Sequence, residues 1–294
     1  MKNTISYYYN LIPNDIHQKE DVYTLIINNV KYIFMPYYGN INNLNTIYNY
    51  LINLKIYCHE IIYNNRNSII TTHNDKPYIL FKIYYDKHDF INFNQIISYN
   101  ILVETDKQCN WYDLWCKKLD YYEYQLSEFG KKYPLIRDSF SYYNGLCETS
   151  ISLLNNIKTY KNNMYISHHR IKKNMDWIDF YNPLNLVIDV RIRDASEYFK
   201  NQFFEGKNVI EEINYYLYTT KLNYSETMLL FIRLIYPSYY FDTYDDIIQG
   251  KTQEKKLNNY IEKNHSFELF LKKVYNIINN HYYKLPEIEW IIKM

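Results

Sequence analysis

The strongest constraint on the fold is a change of hydrophobic periodicity about one third of the way along the chain. Residues 22–27 and 30–35 are β-prone runs separated by the polar pair Asn28–Asn29, which predicts a hairpin. Apolar residues then recur three and four apart over residues 41–55, which is typical of an amphipathic helix. Residues 59–63 and 77–83 add two short strands, so the first third should be a small sheet with one helix.

From about residue 90 onward the pattern becomes helical. Helices are predicted over residues 110–129 and 140–154, with Gly130 and Pro134 between them, and further helices fill the end of the chain. Residues 165–194 lack a regular period and are expected to be irregular, which is where functional groups usually concentrate. We therefore predict an α+β, two-lobed protein, with a small mixed lobe over residues 1–86 and a larger helical lobe over residues 87–294. The boundary should fall near residues 84–88, where a charged run suits a solvated connector.

Composition excludes several classes of protein. The 294 residues are 47% hydrophobic, and 33 basic against 32 acidic residues give a net charge of +1. This balance argues against disorder and against a dedicated nucleic-acid binder. Four cysteines without a CxxC pair indicate a reducing compartment. Residues 32–54, the longest uncharged stretch, are rich in asparagine, so we expect a soluble protein without a membrane span. AT-rich codons explain the 38 tyrosines better than aromatic binding surfaces do.

Three segments carry a resemblance to a known family. They are FSYYNGLCETSISLL (140–154), DFYNPLNLVIDVRIRDASEYFK (179–200) and KLPEIEWI (284–291). Together with the hairpin, helix and strands at the start, they resemble the protein-kinase-like fold in its branch with aminoglycoside and choline phosphotransferases. More closely, they are similar to the kinase-like spore-coat proteins of endospore-forming bacteria. The resemblance implies an ATP-binding cleft near residues 85–90, a place in the mother-cell cytoplasm and the spore coat, and other coat proteins as partners.

The small lobe lacks groups that phosphoryl transfer needs. A kinase-like site has a glycine-rich loop over the phosphates and a lysine on the third strand paired with a helix glutamate. The turn Asn28–Asn29 has no glycine, and its side chains would crowd a phosphate. The lysine position falls near Phe34 or Met35, whereas the nearest cation is Lys31. Residues 41–55 contain no glutamate, so no clamp is expected.

The catalytic loop is altered as well. Phosphotransferases have His-Gly-Asp there and protein kinases His-Arg-Asp, whereas this chain has Ser167-His-His-Arg-Ile. The aspartate position is Arg170 in one register and Ile171 in the other, and neither can accept a proton from a hydroxyl. The downstream metal-binding amide is matched by Met175, next to Asn174, or by Asp176. Asp179 and Asp189 remain as candidate magnesium ligands, and the sequence does not choose between them.

The remaining charged residues favour structural roles. His168 and His169 are expected to be structural or exposed, because adjacent residues rarely converge on one ion. Arg170, with Lys172 and Lys173, forms either a solvated basic loop or a pocket for phosphate or an acidic partner. A separate set, which is predicted to form a buried ion-pair network or alternatively to position a ligand, consists of Arg191, Arg193 and Asp194. Within it, Asp194 should be buried, paired with an arginine and placed at a helix N-cap or first turn.

The sequence therefore favours a degraded kinase-like protein, a pseudokinase, with a structural or interaction role in the spore coat. No catalytic residue, metal or cofactor is expected under this hypothesis, and no nucleic acid or membrane is expected as a partner. The alternative is an ATP-dependent small-molecule phosphotransferase that uses Mg–ATP in a rearranged site. A third hypothesis is a regulator that binds ATP without hydrolysing it. The missing aspartate, lysine and glutamate favour the first hypothesis, because each loss typically lowers the rate by orders of magnitude.

Overall fold

The computed structural model describes residues 1–84, 89–157 and 160–293. The first elements are α1 (Lys2–Tyr9), β1 (Asp15–Lys19), β2 (Val22–Ile27), β3 (Val30–Pro36), α2 (Ile41–Asn53), β4 (Glu60–Ile62), β5 (Thr71–His73) and β6 (Lys76–Ile83). They are followed by α3 (Phe93–Ser98), β7 (Leu102–Val103), α4 (Trp111–Phe129), α5 (Pro134–Asn155), β8 (Met164–His168), α6 (Trp177–Phe180), a 3-10 turn (Pro183–Asn185), β9 (Leu186–Asp189) and α7 (Ile192–Phe204). The chain ends with α8 (Ile210–Thr220), α9 (Tyr224–Ile235), α10 (Ser238–Ile248), a 3-10 turn (Glu254–Leu257), α11 (Asn258–Ile261), α12 (Asn264–His281) and α13 (Glu289–Ile292).

The chain divides into two compact units. The first unit contains Met1–Gln95, His168–Arg170 and Asn174–Ile188. The second unit contains Ile96–Ser167, Ile171–Lys173 and Asp189–Met294. The first unit thus contains the amino-terminal sheet together with His168–Arg170, which belong to the segment compared above with a catalytic loop. The predicted lobe boundary at 86/87 lies within residues 85–88, outside the described part of the chain, and stays a prediction.

The amino-terminal sheet is antiparallel, with strand order β1-β2-β3-β6-β4 and with β5 also paired to β6. The predicted hairpin is confirmed as β2 and β3, which pair from Tyr23 opposite Phe34 to Ile27 opposite Val30. Its turn residues Asn28 and Asn29 both have positive φ, at 50° and 62°. Asparagine tolerates this left-handed backbone, so the turn forms without glycine.

This hairpin is the second of two, because β1 precedes β2 and joins it through Glu20 and Asp21. The sequence prediction missed β1, whose residues Asp15–Lys19 are mostly exposed and polar, so no apolar alternation marks the strand. It also missed β5, which has only three residues. The small sheet therefore has two hairpin turns at its amino-terminal end, both free of glycine.

The helix α1, also absent from the sequence prediction, packs against one face of this sheet. Ile5 is fully buried there, and the Tyr9 hydroxyl bonds to the Thr71 hydroxyl at 2.8 Å. A helix of eight residues is marginal by itself, so tertiary packing rather than a local signal stabilises it. The buried cluster that it completes consists of Ile5, Tyr9, Tyr23, Leu25, Ile27, Tyr32, Phe34, Tyr78 and Leu80.

The second unit is mainly helical, as predicted. The helix predicted over residues 110–129 is confirmed as α4, which buries Trp111, Trp115 and Tyr122. The helix α5 is longer than predicted, because Pro134 occupies its first turn instead of interrupting the helix. In α9 every residue from Ser225 to Ile235 is buried, and the rings of Trp115 and Tyr236 stack at 3.8 Å. Among the described residues, no helix combines the length and apolarity needed to cross a bilayer.

The stretch predicted to be irregular, residues 165–194, is more ordered than expected. It contains most of β8, all of α6 and β9, and the start of α7. These strands have five and four residues, which is too short for a periodic pattern to stand out in the sequence. These elements position the residues that were compared above with a kinase catalytic loop.

Candidate functional site

The turns of the β1–β2 and β2–β3 hairpins are the places where a glycine-rich phosphate loop would be expected. The first turn instead presents two carboxylates, those of Glu20 and Asp21, and Asp21 forms an ion pair with Lys76 at 2.6 Å. The sequence prediction considered only the second turn, Asn28–Asn29, so the structure adds the first one. Carboxylates repel phosphate oxygens. The Glu20–Asp21 turn is therefore less suited to bind the phosphates of a nucleotide than the Asn28–Asn29 turn.

Apolar side chains fill the lysine position on β3. Phe34 is fully buried, and its ring stacks on Tyr78 with centroids 4.6 Å apart. The thioether sulfur of Met35 accepts a hydrogen bond from the Asn182 amide at 3.4 Å. Lys31 shares the face of Met35, because the residues are four apart on a strand, but that spacing is roughly 13 Å along the strand. Met35 therefore bonds to Asn182 through its sulfur, at the position where a lysine would bind phosphates.

The helix α2 supplies no partner for a lysine clamp. Its sequence, INNLNTIYNYLIN, contains no acidic residue. The Asn40 side chain caps the helix by accepting a hydrogen bond from the backbone of Asn43. The inward face buries only Leu44, Ile47, Tyr48 and Leu51, so α2 serves the core of the first unit.

The two histidines at the end of β8 have different environments. His168 is fully buried, its ring stacks on Phe180 at 4.3 Å, and its Nε2 donates to the Phe180 carbonyl at 3.0 Å. His169 is exposed, and its backbone amide donates to the Asn185 carbonyl at 2.7 Å. One imidazole is thus buried and the next is solvent-exposed. In the described part of the chain, no group of three His, Cys, Asp or Glu side chains is arranged to hold a metal.

Both residues that could match the catalytic aspartate, Arg170 and Ile171, have side chains that cannot act as a base. The Arg170 guanidinium donates to the carbonyl of His169 at 2.9 Å. Ile171 is buried, and its carbonyl accepts a hydrogen bond from the Asn201 amide. A guanidinium stays protonated and an alkyl group has no lone pair, so neither residue can orient a hydroxyl nucleophile.

Downstream of Ile171 lie two acids, Asp176 and Asp179, and Met175 at the position of the metal-binding amide. Asp176 caps α6, because its Oδ1 accepts a hydrogen bond from the backbone amide of Asp179 at 2.9 Å. Met175 is buried in the core. The Asp179 carbonyl accepts a hydrogen bond from the Asn185 amide at 2.9 Å, and Asp179 is half-buried, as Asp176 is.

Asp189, the second candidate magnesium ligand, is buried and enclosed by donors. Its Oδ2 forms an ion pair with the Arg193 guanidinium and accepts a hydrogen bond from the indole of Trp111 at 2.9 Å. Its Oδ1 accepts from the backbone amide of Val190 at 2.8 Å. Both carboxylate oxygens therefore already have donors of this chain.

Sequence reasoning missed a second set of buried charges on α7 and α9. Glu197 Oε1 lies 2.9 Å from Arg233 Nε and 3.1 Å from Lys200 Nζ. The Ser238 hydroxyl bonds to Glu197 at 3.1 Å and to Lys200 at 2.6 Å. Two signals were present in the sequence: the helical i, i+3 spacing of Glu197 and Lys200, and one arginine within the apolar run MLLFIRLI.

The predicted charged set at the start of α7 is brought together only in part. Arg191 pairs with Glu226 at 2.6 Å, and Glu226 also completes the capping box of α9 with Asn223. Arg193 pairs with Asp189. Asp194 is 1% exposed and lies in the first turn of α7, as expected, although its pairing with an arginine stays a prediction.

Comparison with solved structures establishes the fold. The chain is similar to an aminoglycoside phosphotransferase from Alicyclobacillus acidocaldarius, with a TM-score of 0.67, 10% identity, and 95% of this chain and 96% of the other covered. It is also similar to a spectinomycin phosphotransferase crystallised with ADP and spectinomycin, with a TM-score of 0.55, 13% identity, and coverages of 94% and 97%. These identities are low enough that the likeness establishes the fold alone. The protein has the two-lobed, kinase-like α+β fold that its sequence predicted.

The family follows from the sequence. Residues 2–274 match the model of the family described as "Spore coat putative kinase YutH", and the chain belongs to that family. It is 26% identical over 216 residues to the endospore coat-associated protein YutH of Bacillus subtilis strain 168, and the match covers 62% of this chain and 61% of that protein. The chain therefore spans less than two thirds of the length of this curated relative. The predicted spore-coat, kinase-like family is confirmed.

Proposed function

We propose that this protein is a catalytically inactive kinase-like protein that acts in the spore coat by binding other coat proteins. One observation carries most of this proposal: the position that should orient the nucleophile is occupied by Arg170 or by the buried Ile171. Without a carboxylate there, the hydroxyl of an acceptor has no group to receive its proton.

Two further losses support the proposal independently. Neither the Glu20–Asp21 turn nor the Asn28–Asn29 turn has a glycine, and the first of them presents two carboxylates where phosphates would be bound. Met35 takes the lysine position, and α2 has no acid to pair with a lysine. Phosphate cradling, phosphate orientation and nucleophile positioning are three separate requirements, and replacement of all three by neighbouring residues is a far larger change than replacement of one.

The residues present do not fit a magnesium–nucleotide complex. Asp189 has its oxygens engaged by Arg193, Trp111 and Val190, and Asp176 is engaged as a helix cap. Met175 is a buried thioether in place of an amide ligand, and magnesium prefers oxygen ligands in octahedral geometry. We therefore propose that the protein works without a cofactor.

The partners and the location are also part of the proposal. The Bacillus subtilis relative is described as endospore coat-associated. By analogy, this chain is made in the mother-cell cytoplasm and becomes part of the coat, with other coat proteins as its partners. The net charge of +1 lacks the basic excess that nucleic-acid binding requires.

An ATP-dependent small-molecule phosphotransferase is the second candidate function, and one observation favours it. Asp179 retains a half-buried carboxylate in the loop segment, within a fold shared with aminoglycoside phosphotransferases. In that case Asp179 would hold magnesium in a rearranged site. The two functions differ in one measurable property, phosphoryl transfer from ATP.

An assay of ADP formation distinguishes them, because ADP is the leaving group when the γ-phosphoryl group is transferred to an acceptor hydroxyl. The purified full chain is incubated for hours with Mg–ATP and aminoglycoside acceptors, beside heat-inactivated protein and an active aminoglycoside phosphotransferase. We expect ADP formation equal to that of the heat-inactivated sample. Turnover above that background, removed by Asp179→Asn, would overturn the proposal and establish the phosphotransferase.

A further inference from the structure

The surroundings of Asp189 differ from those of a carboxylate that holds a divalent cation. A metal-binding carboxylate needs at least one oxygen free to approach the ion. Here Oδ1 accepts from the Val190 amide at 2.8 Å, and Oδ2 accepts from the Trp111 indole at 2.9 Å while it is paired with Arg193. Every one of these donors is a group of the chain itself.

The position of Arg193 follows from the local fold. Asp189 ends β9, and Arg193 lies four residues later in the first turn of α7. The short connection therefore returns the guanidinium to the carboxylate. Arginine remains charged at every physiological pH, and its planar group matches the geometry of a carboxylate. It supplies a permanent positive charge at one of the two carboxylates that the sequence offers as magnesium ligands.

The neighbouring buried charges form ion pairs within the chain. Asp189 is paired with Arg193, and Glu197 is paired with Lys200 and Arg233. The Arg233 guanidinium lies over the Trp111 ring, 4.7 Å from its centroid, so the same indole contacts both groups of ion pairs. A divalent ion at Asp189 would add two positive charges beside a buried ion pair and would displace Arg193, at a large desolvation cost.

We propose that Arg193 is a built-in counter-ion for Asp189, which takes the place of the magnesium ion and closes this carboxylate to divalent cations. The inference rests on membership of the kinase-like family but not on the absence of phosphoryl transfer. If Asp179 held a metal and catalysed transfer, Asp189 would still be paired with Arg193.

Titration of the full chain with Mn²⁺ as a probe, followed by calorimetry and by thermal unfolding, tests the proposal. We expect the Asp189→Asn variant to bind Mn²⁺ no less than the wild-type protein does. Saturable Mn²⁺ binding that disappears in Asp189→Asn would overturn the inference. Binding that disappears only in Asp179→Asn would leave it standing and would instead argue for the phosphotransferase.

A charge-removal series sharpens the test. We expect Arg193→Gln to lower the Tm by roughly 5–10 °C, because it leaves a buried carboxylate without a cation. Millimolar Mn²⁺ should then recover part of that loss. Arg193→Lys retains the charge, so it should show a smaller loss and no recovery by Mn²⁺. A folded Arg193→Gln protein with no response to Mn²⁺ would contradict the proposal.

The double variant Asp189→Asn/Arg193→Gln keeps the proposal falsifiable if Arg193→Gln does not fold. It removes both charges and keeps hydrogen-bonding groups of similar size. We expect it to fold, to be more stable than either single variant, and to show no response to Mn²⁺. A double variant no more stable than Arg193→Gln would show that the pair is not coupled, and would overturn the counter-ion role.

Discussion

Two stretches of this chain, residues 168–179 and residues 189–200, contain the residues compared above with a kinase-like site, and their polar groups have different surroundings. In the first stretch, polar side chains bond to the backbone: His168 bonds to the Phe180 carbonyl, and Asp176 caps α6. In the second stretch, charged side chains are buried and paired with one another. The polar groups of the first stretch thus support local structure, whereas those of the second form internal ion pairs.

This difference indicates which residues matter most for stability. A cap or a single hydrogen bond to a carbonyl contributes about 0.5–2 kcal/mol to the free energy of unfolding. A buried charge whose partner is removed costs about 3–5 kcal/mol, because it cannot return to water. Substitutions in residues 189–200 should therefore have larger effects on folding than substitutions in the loop.

The largest effect is expected at Glu197. Glu197→Gln leaves the buried cations Lys200 and Arg233 without their shared carboxylate, so we expect a loss of about 3–5 kcal/mol in the free energy of unfolding. Urea denaturation followed by circular dichroism measures it. The matched control is Glu123→Gln on the exposed face of α4, which should stay within about 0.5 kcal/mol of wild type. Equal effects of the two variants would contradict the buried network.

Asp194 is expected to rank second. Asp194→Ala removes a buried carboxylate from the first turn of α7, and we expect a loss of about 1–3 kcal/mol, or more if an arginine loses its partner. The comparison is Asp113→Ala, which removes an exposed acid from the first turn of α4 and tests the helix dipole alone. An unchanged urea midpoint for Asp194→Ala would refute the bracing role.

His59 provides a pH-dependent test of the first unit. It is buried, with Nε2 donating to the Ile178 carbonyl at 2.9 Å. Burial lowers the pKa of His59, against the opposing effects of that hydrogen bond and of Asp176. The unfolded chain then binds the proton more tightly, so this stabilisation is complete above about pH 6.5 and is lost as the pH falls through the lower pKa of the folded state.

The variant His59→Gln keeps a donor for the Ile178 carbonyl but cannot titrate. We expect the Tm of the wild-type protein to fall more steeply between pH 7.5 and 5 than that of His59→Gln. His265→Gln is the control, because this histidine is largely exposed. Parallel pH profiles for wild type and His59→Gln would show that His59 does not contribute to acid sensitivity.

The smallest effect is expected for a restored catalytic aspartate. Arg170→Asp supplies a carboxylate in the loop, but Met35 and the acid-free helix α2 still leave no clamp for phosphates. We therefore expect no ADP formation above the heat-inactivated background and a Tm close to wild type. Measurable turnover in this single variant would show that the rest of the site is intact, and would break the account of three separate losses.

Much of the fold was accessible from the sequence, because long periodic segments such as α4 and the β2–β3 hairpin carry their own signals. The elements that were missed depend on tertiary context: α1 folds by packing on the sheet, and β1 is a polar edge strand. The extension of α5 back to Pro134 was missed because proline was treated as an interruption rather than as a first-turn residue.

The candidate site was predictable where the residue type alone rules out a role as general base, as with Arg170 and Ile171. It was not predictable where partners come from distant segments. Nothing local to Asp189 indicates that the Trp111 indole, 78 residues earlier, bonds to its carboxylate. In the same way, Glu197 and Arg233 are paired only because α7 and α9 pack together. Residue identity argues against a catalytic base at Arg170 and Ile171, and three-dimensional contacts were needed to find the partners of the buried charges.

The central claim is that this kinase-like fold has lost the use of Mg–ATP, and calorimetric titration of the full chain with Mg–ATP tests it most directly. We expect weak or absent binding, with no ADP formation in the recovered sample over hours. Micromolar binding without turnover would contradict the cofactor-free proposal and favour a nucleotide-binding regulator. Micromolar, magnesium-dependent binding followed by turnover above heat-inactivated protein would contradict the account as a whole.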